Sequence, residues 1–151
     1  MAQAIAAYLH YLSIFVLFSL LTLEHVLFRQ PLDLDRARRL VRVDIFYGIS
    51  AGVVLATGLA RVFWYGKGLD YYLNNSLFHA KVGLFVLIGL LSSLPTFVFL
   101  NWRNPLKAGQ VPEISARMAK LVIMTIRLEL LLALVLPLLA ALMARGYGVI
   151  G

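Results

Sequence analysis

Residues 77–102 read LFHAKVGLFVLIGLLSSLPTFVFLNW, and from Val82 to Leu100 the stretch carries no charged side chain. A helix needs about 20 apolar residues to cross the hydrocarbon core of a bilayer, so this stretch predicts a membrane span. Three further runs share its character. Ala4 to Phe28 precedes Arg29-Gln30-Pro31, Val43 to Tyr65 stops at Gly66-Lys67-Gly68, and Leu121 to Ala144 is followed by Arg145-Gly146. The predicted fold class is all-α: one domain over 1–151, an integral membrane bundle of four transmembrane helices at about 4–28, 43–65, 77–102 and 121–144. Pro95 and Pro137 fall inside spans, where proline is tolerated and can kink the helix.

Composition points the same way. The 151 residues are 62% hydrophobic and 14% charged, against about 45–50% and 25% in soluble domains. The net charge of +7 comes from 14 Lys+Arg and 7 Asp+Glu, and the cations sit between the apolar runs. That placement fits membrane topology and argues against a nucleic-acid partner. Arg29, Arg36, Arg38, Arg39 and Arg42 fill the first loop, and Arg103, Lys107, Arg117 and Lys120 the third. The second loop and the two ends hold only Lys67 and Arg145. Basic loops stay cytoplasmic, so both termini are expected on the outer, periplasmic side of a bacterial inner membrane. Trp64, Tyr65, Tyr71 and Tyr72 would then lie at the outer interface and Trp102 at the inner one. The first run is too long for the apolar region of a signal peptide and reads as a retained span. Asp33 to Arg39 reads as a short helix on the inner leaflet or as a solvated connector.

Ionisable side chains inside spans are costly, so each is a functional candidate. They fall at two depths. His10, Arg61, His79 and Lys81 share the outer level; Glu24, His25, Asp44, Arg127 and Glu129 share the inner one. Arg127 is expected to pair with Glu24 or Asp44. Glu129 is a poorer partner, because residues two apart on a helix do not face each other. The inner group reads either as structural ion pairs that fix helix register or as a proton relay or anion site. The outer histidines have three readings: a hydrogen bond to backbone or water, a general acid or base, or a ligand to haem iron. Arg61 and Lys81 lie at the depth where haem carboxylates would need cations. Gly48, Gly52, Ala56 and Ala60 recur every four residues, a face suited to tight helix packing or a dimer contact.

Without cysteine there is no thiolate metal site, and three histidines with no HxxxH spacing argue against zinc or di-iron. No phosphate loop, GxGxxG or hydrolase elbow is present. Leu9-His10 in the first span and Phe78-His79-Ala80-Lys81 opening the third resemble the HemJ-type protoporphyrinogen oxidases and the membrane domain of copper-resistance protein D. Leu27-Phe28-Arg29 and Thr57-Gly58-Leu59 are further counterparts, whereas Ser13 to Leu20 lacks the tryptophan and glycine of that family. The chain as a whole resembles a family of four-helix bacterial membrane proteins known as a domain of unknown function. The oxidase resemblance implies haem b held by His10 and His79, with Lys81 and Arg61 near its carboxylates, and a redox role such as porphyrinogen oxidation. The other reading is a non-enzymatic accessory subunit or a proton or small-solute carrier. Its partners would be the lipid bilayer and a second copy or a larger membrane complex.

Overall fold

The computed structural model describes residues 1–29 and 31–150. The elements in chain order are α1 (Ala2–Leu27), α2 (Leu34–Ala60) continued by a π-helical turn (Arg61–Tyr65), α3 (Leu69–Leu73), α4 (Ser76–Leu100), α5 (Arg103–Lys107) and α6 (Ala116–Ala144). Four stretches are long and apolar enough to cross a membrane: Ala2–Leu27, Leu34–Tyr65, Ser76–Lys107 and Ala116–Ala144. α1 packs along α2, α4 packs along α6, and α1–α6 and α2–α4 contacts close the ring.

The surface pattern is that of a protein in lipid. Phe15, Leu90, Phe97 and Leu131 are exposed on the four-helix surface. An apolar surface of this extent would be a liability in water. Inside, Leu17, Leu21, Leu40, Phe99, Val122 and Ile126 form the core. Lipid tails are as apolar as leucine, so this core is held by dispersion and shape rather than by hydrophobic transfer.

Three expectations are corrected. Asp33 to Arg39 is not a separate surface helix. The Asp33 carboxylate accepts from the backbone N–H of Arg36 at 2.7 Å and caps α2, which then runs unbroken from Leu34. Trp102 is not an interface anchor but a core residue, 4% exposed, its ring 5.1 Å from Phe99. The small-residue stripe does not pack within the chain at its first two positions: a Cβ on Gly48 or Gly52 would meet nothing within 4 Å.

The two ends of the bundle are built differently. At the end holding both termini, Asn75 caps α4 by accepting from the N–H groups of Leu77 and Phe78. The Asn75 side chain also donates to the Tyr147 carbonyl at 3.1 Å. Ser76 N–H donates to Gly148 and Ile150 N–H to Asn74, so the C-terminal residues latch onto the start of α4. At the opposite, basic end α5 folds against α2, where Arg38 Nη2 donates to the Leu106 carbonyl at 3.1 Å.

Candidate functional site

Each helix buries a stripe spaced three and four residues apart, and polar residues occupy positions in it that leucine would otherwise fill. On α1 the stripe is His10, Ser13, Leu17, Leu21 and Glu24. On α2 it includes Leu40, Asp44, Tyr47, Ser50 and Val54, and on α6 Val122, Ile126, Glu129 and Ala133. The register of the helices therefore brings the polar side chains together inside the bundle at two levels. His10 and Glu24 lie about 21 Å apart along α1.

The level nearer the basic end draws on all four long helices. Glu24 and Glu129 are each 1% exposed and Asp44 6%. Asp44 is a neighbour of Glu24 in this level. Ser92 of α4 donates to Glu129, and the Tyr47 hydroxyl lies 3.0 Å from the same Ser92 oxygen. Glu24 Oε1 and Glu129 Oε2 are buried without a hydrogen-bond partner among the described residues.

Among the described residues no cation pairs with a carboxyl group of this level. Arg127 does not pair with Glu24 or Asp44: it is exposed, and its Nε donates to His25 Nε2 at 3.2 Å. The reason is angular. Two helical residues turn through about 200°, so a Glu129 that faces inward places Arg127 outward. Among the described residues the only ion pair is Arg39–Asp35, on the surface at 3.1 Å. In place of the expected network of ion pairs among Glu24, His25, Asp44, Arg127 and Glu129, the described residues show three buried carboxyl groups, of which Glu129 has a hydroxyl partner in Ser92. Their oxygens do not converge as a metal-binding group either.

At the other level His10 Nδ1 lies 2.8 Å from Thr57 Oγ1. The Thr57 hydroxyl also lies 2.8 Å from the Val53 carbonyl and 3.1 Å from that of Val54. Gly58 makes this contact possible, since a Cβ there would stand 3.2 Å from His10 Cε1. Lys81 and Arg61 come close enough to act electrostatically on His10. Arg61 stacks 5.3 Å from the Tyr11 ring centroid and leaves its Nε buried without a partner.

His79 is not part of this group. Its ring is exposed, and Nε2 donates to the Leu73 carbonyl at 2.8 Å, tying α4 to the end of α3. A cavity of about 320 Å³ opens beside this level, lined by Leu9, Thr57 and Ala60 among others, and neither His10 nor His79 lines it. A haem b ligated by both histidines does not fit the residues as they stand. The sequence reading quoted Thr57 only within a family motif and gave it no part beside His10. It gave Tyr47 and Ser92 no part in the inner level, although Tyr47 falls one turn after Asp44 on the buried stripe of α2.

Fold and buried polar levels define an integral membrane four-helix bundle with ionisable groups in its interior. The chain belongs to the family described as Predicted membrane protein (DUF2214), whose family model matches residues 2–148. No curated protein and no solved structure is significantly similar to it.

Proposed function

We propose that the protein binds and transfers protons inside the membrane, with Glu24 and Glu129 as the proton-binding groups and Asp44 beside Glu24. One observation carries this reading: three buried carboxyl groups meet in the bundle without a cation. A buried charge with no partner is neutralised rather than tolerated, and a proton is the neutralising ion that needs no coordination shell. Two neighbouring carboxyl groups without a cation between them disfavour a charge on both. The hydroxyls of Ser92 and Tyr47 extend the network by groups that both donate and accept. His10, about 21 Å away along α1, is the second station, and Leu17, Leu21 and Val54 form an apolar plug between the two.

The haem b reading that the HemJ-type resemblance implied has less support, because His79 is exposed and bound to the Leu73 carbonyl while His10 is buried beside Thr57. In a bacterial inner membrane the basic end would face the cytoplasm, and proton entry to the carboxyl level would come from that side. The test is proton flux into liposomes containing the purified protein, driven by a potassium potential and read by an enclosed pH dye. Wild-type protein should raise the flux above that of empty liposomes, and Glu24→Gln and Glu129→Gln should each cut the increment at least about tenfold, the size of effect expected for a lost proton-transfer group. A wild-type flux equal to that of empty liposomes would overturn the proposal.

A further inference from the structure

The basic end carries a feature that proton transfer does not use. A cleft of about 260 Å³ is lined by Arg38, Val41, Arg42, Arg103, Leu106 and Lys107. Arg38 and Arg42 are one turn apart on α2, and Arg103 and Lys107 one turn apart on α5, so two cationic pairs face each other across it. The Arg38 hydrogen bond to the Leu106 carbonyl fixes the spacing of the two helices. No acidic residue lines the cleft. The nearby acids are engaged elsewhere: Asp33 caps α2, Asp35 pairs with Arg39, and Asp44 lies in the buried carboxyl level.

Membrane topology explains why this end is basic but not why four cations converge on one cleft. Like charges so placed repel unless an anion sits among them. The floor made by Val41 and Leu106 is apolar. The position is equally specific: Arg42 immediately precedes the apolar run of α2, and Arg103 follows the end of the α4 span. The cleft therefore lies at the level of lipid headgroups, open to a molecule that diffuses in the bilayer plane. Its volume falls just under the roughly 300–1,000 Å³ of small-molecule sites, a size for a headgroup. Basic pockets between membrane helices are suited to phosphate-bearing headgroups.

We propose that this cleft is a binding site for the phosphate-bearing headgroup of an anionic phospholipid, with Arg38, Arg42, Arg103 and Lys107 holding the phosphate and Val41 with Leu106 receiving the apolar part. The protein in neutral detergent is titrated with short-chain phosphatidylglycerol, with phosphatidylcholine, and with inorganic phosphate, and thermal stability is followed by circular dichroism. Phosphatidylglycerol should stabilise the protein saturably and phosphatidylcholine should not. Arg42→Gln with Arg103→Gln should weaken the apparent affinity about 30-fold, the loss expected for two cations. Lys107→Gln alone should weaken it in the same sense by a smaller factor. Arg117→Gln with Lys120→Gln, on α6 at the same end but outside the cleft, should leave it unchanged. Equal weakening by the two double variants would reduce the effect to general surface charge and overturn the site. Saturation by inorganic phosphate at the same concentration would overturn the lipid assignment.

Discussion

Replacing Arg127 by alanine separates two accounts of the buried carboxyl level. If the guanidinium neutralised Glu24 or Asp44, its removal would strand a buried charge, at a cost of about 3–5 kcal/mol. In the structure Arg127 is exposed and its side chain reaches only His25, at 3.2 Å. A contact of that kind contributes about 1 kcal/mol or less. The assay is denaturant unfolding of the purified protein in mixed micelles, followed by far-ultraviolet circular dichroism. The midpoint should shift by that small amount with an unchanged slope. His25→Ala should give a similar shift, and the double variant should lose no more than either single one, because both remove the same contact. A loss of about 3 kcal/mol or more in Arg127→Ala, relieved when Glu24→Gln is added, would refute the reasoning.

Three further outcomes are expected. Gly48→Ala and Gly52→Ala should be neutral or stabilising in thermal unfolding, since the new methyl meets nothing within 4 Å, whereas Gly58→Val, pressed on His10, should cost about 1–3 kcal/mol by overpacking. Gly148→Ala, at φ +85° with its Cβ directed at Asn75 and Leu77, should cost at least the 1–2 kcal/mol or so of a left-handed backbone. Amide exchange should then show that the latch between Ser76 and Ile150 opens first. Protein expressed with ample haem should show no Soret band that depends on His79, because that imidazole is committed to the Leu73 carbonyl; a band lost in both His10→Ala and His79→Ala would reverse this.

The spans were legible because crossing a bilayer demands length and apolarity, and both are properties of the unaligned chain. Residues 77–102 announce a span whatever surrounds them. The start of α2 was less legible. Asp33 is an ordinary capping residue, but the charges from Asp35 to Arg42 hide the first nine residues of α2, which precede the apolar run at Val43. The two levels of ionisable groups were visible as depths along each helix. Their partners were not, because pairing depends on the angle around the helix. The two-residue step from Arg127 to Glu129 already places them on opposite faces, yet only packing decides which of the two points inward. Glu129 shares its stripe with Val122, Ile126 and Ala133, and that periodicity was the available signal. His79 was illegible for another reason: its partner Leu73 lies in a single-turn helix that apolar periodicity does not reveal.

The central claim is that Glu24 and Glu129 hold protons rather than counter-ions. Infrared difference spectroscopy of the reconstituted protein over a pH series tests it most directly, through the carbonyl stretch that only a protonated carboxyl group shows. The account predicts such bands at neutral pH and the removal of a component by each of Glu24→Gln and Glu129→Gln. A spectrum with no protonated-carboxyl band at neutral pH, or one unaltered by both substitutions, would contradict it.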